Sequence, residues 1–113
     1  MNIEAIVIDF LQRKLETYNV YGEIPNSPTG EFFVVDKTGS RTENLMCTST
    51  IAIQSYGDSK AAAAESNESM KRAMEEIVEL DSIGGCHLET DYNYTNIARK
   101  QYRYQAVYQI THY

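Results

Sequence analysis

Positive charge is scarce in this chain of 113 residues. Ten Lys and Arg stand against sixteen Asp and Glu, for a net charge of −6. Non-specific nucleic-acid binding needs a basic surface that displaces counterions from phosphates, so this balance argues against it. It also disfavours docking on anionic lipid. Cysteine is nearly absent: Cys47 and Cys86 are the only two, neither in a CxxC pair. That excludes a dense disulfide framework. Both fall in expected strands and read as reduced, buried, small apolar residues of a protein made in the cytoplasm. No apolar run approaches the roughly 20 residues a membrane span needs. The apolar start M-N-I-E-A-I-V-I-D-F has no basic leader or small-residue cleavage site and does not read as a signal peptide. With 42% apolar and 23% charged residues, positions 1–113 read as one globular domain.

Tyrosine is abundant, and six of the nine lie between Tyr92 and Tyr113. The stretch Lys100–Tyr113 alternates with period two. Tyr102, Tyr104, Ala106, Tyr108, Ile110 and His112 share one side; Arg103, Gln105, Val107, Gln109, Thr111 and Tyr113 share the other. Strand side chains alternate between faces, so this is a half-buried strand, tied into a sheet despite its place at the chain end. Tyr102, Tyr104 and Tyr108 are expected on the core side. The remaining rings, apolar with a polar tip, suit a sheet surface covered by another protein.

The rest of the chain divides as follows. Asn2 to about Thr17 reads as a helix, capped by Asn2, with Ile3, Ile6, Val7, Phe10 and Leu11 on one stripe. Val20–Ile24 is a short strand, closed by the turn-rich run Pro25–Gly30. Glu31–Lys37 and Glu43–Ser55 form a hairpin, with Thr38-Gly39-Ser40 as its turn. In the second strand Cys47, Ser49, Ile51 and Ile53 share one face. Asp58 or Ser59 caps a second helix that runs to about Leu80. Its buried stripe is Met70, Ala73, Met74, Ile77 and Val78, and Lys71 and Glu75 lie four apart as a weak pair. Gly84-Gly85 is a break. From His87 the alternation resumes, with Cys86, Leu88, Thr90, Tyr92 and Tyr94 on one face and His87, Glu89, Asp91 and Asn93 on the other. The order α-β-β-β-α-β-β predicts an α+β fold: an antiparallel-rich mixed sheet with two helices on one face.

No motif carries covalent chemistry. Cys86 and His87 are adjacent on a strand, point to opposite faces, and do not share an ion. No Cys–His nucleophile arrangement and no G-x-S-x-G context is present. K-T-G-S-R at Lys37–Arg41 has one glycine and sits between strands, unlike a Walker loop. Glu75, Glu76, Glu79 and Asp81 read as solvated carboxylates without an EF-hand pattern. No catalytic residue, cofactor or metal is expected.

Four segments resemble small tail-component proteins of long-tailed phages and prophages of Gram-positive bacteria: I-A-I-Q-S-Y-G-D-S-K-A-A-A-A (51–64), M-E-E-I-V-E-L-D-S-I (74–83), T-D-Y-N-Y-T (90–95) and K-Q-Y-R-Y-Q-A-V-Y-Q-I (100–110). The element order is similar to that of siphophage tail terminators, and the resemblance spans nearly the whole chain. It implies a structural virion protein, assembled in the bacterial cytoplasm. Such a protein forms a homo-oligomeric ring, usually a hexamer. The ring caps the tail tube protein, stops polymerisation and meets the head-tail connector proteins. It implies no cofactor, no membrane and no sequence-specific nucleic acid. Carried onto this sequence, it nominates the hairpin residues Lys37, Thr38, Gly39, Ser40, Arg41 and Glu43, and the second helix from Lys60 to Lys71, as protein contacts. A head-completion or neck protein of the same virion is the near alternative. A monomeric binding module, and a small enzyme built on His87, Glu89, Asp91 and His112, are the alternatives of other classes.

Overall fold

The computed structural model describes residues 2–26 and 30–113. Helix α1 spans Ile3–Lys14. The Asn2 side chain accepts the Ala5 N–H at 2.8 Å, as its N-cap role predicts. Ile3, Val7, Phe10 and Leu11 are buried, one turn apart along the stripe. The helix stops three residues short of Thr17, and Gln12 supplies the reason. Its amide donates to the Tyr18 carbonyl at 2.7 Å and accepts the Val20 N–H at 3.1 Å. One side chain thereby satisfies the backbone that turns from α1 into strand β1, Asn19–Tyr21. The turn expected over Pro25–Gly30 has its centre, Ser27–Thr29, outside the described residues.

Five strands form one sheet in the order β1-β2-β3-β5-β4. β1 runs parallel to the start of β2 (Phe32–Glu43). β2 pairs antiparallel with β3 (Met46–Gly57), β3 with β5 (Tyr102–His112), and β5 with β4 (Ile83–Asn93). The mixed, mainly antiparallel sheet and the α-β-β-β-α-β-β order agree with the sequence reading.

The hairpin turn does not. Thr38-Gly39-Ser40 lies inside β2, where the register shifts between Lys37 and Gly39. Thr38 is the extra residue of a β-bulge. The true turn is Asn44-Leu45, with φ of 51° and 70°, between the paired residues Glu43 and Met46. Two positive φ values in a two-residue loop define the type I′ geometry that matches strand twist. The bulge lets one long strand absorb a glycine that reads locally as a turn. Gly84-Gly85 behaves likewise, lying inside β4 at a second register shift. A third shift, between Leu88 and Thr90, reverses the expected faces beyond it. Asp91 pairs with Ala106 and Asn93 with Tyr104, so both turn to the helix side; Thr90 and Tyr92 turn away.

Helix α2 spans Lys60–Met74, and Ser59 caps it by accepting the Ala62 N–H at 3.1 Å. It ends before Leu80: Ile77–Glu79 is a short 3₁₀ turn. The tighter winding returns Ile77 to the core but rotates Val78 outward, where it is 50% exposed instead of buried in the stripe. Both helices pack on one face. Val7, Phe10 and Leu11 from α1 and Met70 and Met74 from α2 join Phe33, Val35, Ile51, Ile53, Ala106, Tyr108 and Ile110 in one cluster. β5 shows the predicted faces throughout, with Tyr108 buried and Tyr102 and Tyr104 half-buried on the helix side. Among the described residues, the opposite face holds a small cluster of Phe32, Val34 and Tyr56, with Tyr21 packed against it and Phe32 stacked on Tyr56 at 4.5 Å.

Candidate interaction surfaces

The helices leave one sheet face open, and a chain of polar contacts crosses it. Arg103 donates to the Tyr94 carbonyl at 2.8 Å and to the Tyr56 hydroxyl at 2.9 Å. Its guanidinium also lies 4.5 Å from the Tyr94 ring centroid. The Tyr56 hydroxyl donates to Gln54 and the Gln54 amide to Gln105, each at 2.9 Å. Gln105 in turn meets the Tyr92 hydroxyl. Farther along, the Gln109 amide donates to Thr50 and to Glu89, each at 3.0 Å. Glutamine and tyrosine ends that satisfy one another pre-order this surface, and its tyrosines and Arg103 are residue types enriched at protein interfaces.

The nominated contact residues lie along an arm, not at a tip. Lys37 sits at the start of the bulge, and its N–H donates to the Glu4 carboxylate of α1 at 2.8 Å. Thr38, Gly39, Ser40, Arg41 and Glu43 follow, all exposed, toward the turn at Asn44-Leu45. Gly39, Ser40 and Arg41 join Thr48, Thr50 and Glu89 around a shallow recess of about 400 Å³ on the open face. Lys60 is exposed at the first position of α2. Lys71, three turns on, is half-buried and engaged inside the molecule. Its ammonium meets Glu68 at 2.8 Å and Asp91 of β4 at 2.5 Å. These two hydrogen-bonded carboxylates raise its pKa above the ordinary lysine value, against a smaller desolvation effect. The expected Lys71–Glu75 pair is thus replaced by Lys71–Glu68 and Lys71–Asp91.

The structure does not bring His87, Glu89, Asp91 and His112 together. His87 and Glu89 belong to the open face. Asp91 accepts from Asn67 at 2.8 Å, and Asn67 accepts from Ser55 at 3.2 Å, which ties β3, α2 and β4 together. His112 lies at the far end of β5 with its Nε2 2.8 Å from the Ser49 hydroxyl. Burial, and secondarily the Lys37 charge, lower its pKa below the usual 6.5. Among the described residues, no three His, Cys, Asp or Glu side chains gather in a metal-binding geometry. Cys86 and His87 face opposite sides, pairing with Ile110 and Gln109. Both cysteines are half-buried, less hidden than expected, and burial pushes the Cys86 thiol up to about 11.

Two apolar features escaped the sequence reading. Leu45 at the hairpin turn is 94% exposed, and Ile97, in the connection between β4 and β5, is 84% exposed. Between α2 and the edge strand β4 runs a groove of about 300 Å³, lined by Met74, Val78, Cys86, Leu88 and Tyr108 and, from α2 and its end, by the charged Glu68, Lys71, Arg72 and Glu75. Asn44 was the available signal for the turn, since Asn favours the left-handed backbone of a type I′ loop.

No protein-family model matches this chain. No curated protein matches it either. Among solved structures, it is similar to a chain of the virion of a native gene transfer agent particle, with a TM-score of 0.58 and 13% identity. The likeness covers 97% of this chain and 93% of that one, so the shared fold extends across essentially all of both.

Proposed function

We propose that this protein is a structural component of a tailed phage, or of a phage-derived particle. In this reading it forms a ring, a hexamer by family resemblance, that caps the tail tube, ends its polymerisation and joins the tail to the head connector. The observation that carries the reading is the end-to-end likeness to a chain of a gene transfer agent virion. The open, tyrosine- and glutamine-rich sheet face supports it, because such a surface suits a protein neighbour. Of the polar groups raised as catalytic candidates, Glu89, Asp91 and His112 are held by structural partners, which suits an assembly role more than chemistry. The contact regions assigned to this role are the exposed arm Lys37–Glu43 and the solvent side of α2 from Lys60 to Lys71. Its partners are copies of itself, the tail tube protein and the connector, and its place is the virion.

The test is electron microscopy of particles made without the gene for this chain. Tubes of abnormal length are the expected result. Tails of normal length that fail to carry heads would replace termination with head completion, and intact, infectious particles would remove the virion role.

A further inference from the structure

We propose that the Leu45 turn of one copy seats in the groove between α2 and β4 of the next, as a head-to-tail contact between copies of this chain. The inference rests on the ring-forming reading above and gives it a specific joint. Leu45 holds a φ of 70° and is 94% exposed. A branched apolar side chain at positive φ is strained, and glycine is the usual residue there. With almost all of its surface open to water, it gains little inside its own molecule to offset that cost. A side chain kept under strain and in water points to a contact outside the subunit.

The matching cavity is on the same chain. Val78 and Leu88 are 50% and 38% exposed at a groove of about 300 Å³. That is about ten times the ≈ 30 Å³ share of one liquid water, ample for an aliphatic side chain. Arg41 and Glu43 lie near the tip, and the charged residues lining the groove are Glu68, Lys71, Arg72 and Glu75. Glu75 is a counter-charge for Arg41. Arg72 on the groove rim is a counter-charge for Glu43 beside the tip. Tip and groove are different patches of the surface, at the end of the β2–β3 hairpin and along the β4 edge. Contacts between unlike patches are heterologous, and they close into rings when the rotation allows.

Sedimentation velocity over a concentration series tests this on the full chain. Wild type is expected to assemble beyond two subunits. Leu45→Gly completes the favoured Asn-Gly turn, so its Tm should equal or exceed wild type while its association weakens about 10- to 100-fold, the share of one buried leucine. Val78→Asp should weaken association similarly. An equimolar mixture of the two variants should yield a 1:1 dimer, since one keeps its groove and the other its tip. Leu45→Gly assembling like wild type, or wild type staying monomeric throughout, would overturn the joint. A wild-type species that stops at two subunits would also overturn the joint, since a head-to-tail contact leaves a free tip and a free groove that take up further copies. Open chains of copies that Leu45→Gly dissociates would remove the ring reading and leave the joint standing. Abnormal tail length in the gene deletion beside an unaffected Leu45→Gly ring would remove the joint and leave the ring reading standing.

Discussion

At the scale of single residues, the informative side chains are polar groups held where water is scarce. Asn67 is 2% exposed and spends its amide on Ser55 and Asp91. A buried amide without such partners would cost a few kcal/mol, so this network fixes how α2 sits on β3 and β4. His112 yields a pH dependence. Its pKa lies below the ordinary 6.5, chiefly through burial. As the pH falls through about 6.5, the imidazole of the unfolded chain takes up a proton before that of the folded chain does. The stability contributed by the neutral ring is therefore complete above that pH and drains away on acidification toward the folded-state pKa. The unfolding midpoint of His112→Gln should fall less than that of wild type between pH 7.5 and 5. A parallel fall in both proteins would show that His112 contributes none of it.

At the scale of elements, three β-bulges account for most differences between local expectation and fold. Each glycine- or threonine-rich stretch that reads as a turn or break, Thr38-Gly39-Ser40 and Gly84-Gly85, is absorbed into a strand because neighbours on the sheet complete its hydrogen bonds. The bulge at Leu88/Thr90 has the largest consequence, since it turns Asp91 toward Asn67 and Lys71. Gly57, at the end of β3, marks where α2 meets the sheet. A Cβ built there would lie 2.5 Å from the Ala63 backbone nitrogen. Neither the strand end nor the first turn of α2 can yield without losing hydrogen bonds. Gly57→Ala should therefore destabilise by about 2–3 kcal/mol in urea titration, at the upper end of overpacking costs. A variant within about 0.5 kcal/mol of wild type, the range of an ordinary surface change, would show that the helix start is free to shift.

At the scale of the whole molecule, α1 and α2 bury their stripes against the same sheet face, in one shared cluster. We propose that the chain unfolds as one cooperative unit. Thermal melts by far-UV and near-UV circular dichroism should coincide, with a heat-capacity change of about 1.4–1.7 kcal/mol/K from the usual per-residue value. Separated transitions would divide the molecule into two folding units. The body measures 44 × 26 × 24 Å, with one sheet face left uncovered by the helices and Leu45 exposed at the hairpin turn.

The sequence by itself determined the α+β class, the strand and helix order, the N-cap of α1, a start for α2 at Asp58 or Ser59, and the two faces of β5. These are local matters: periodicity places side chains, and short oxygen-bearing residues satisfy free helix N–H groups. Only the tertiary structure decided where the hairpin turns, which way Asp91 points, and that Val78 faces solvent beside a groove. The turn position and the direction of Asp91 depend on pairing with strands distant in sequence, where one extra residue reverses every face beyond it. The exposure of Val78 follows from the 3₁₀ winding that returns Ile77 to the shared core.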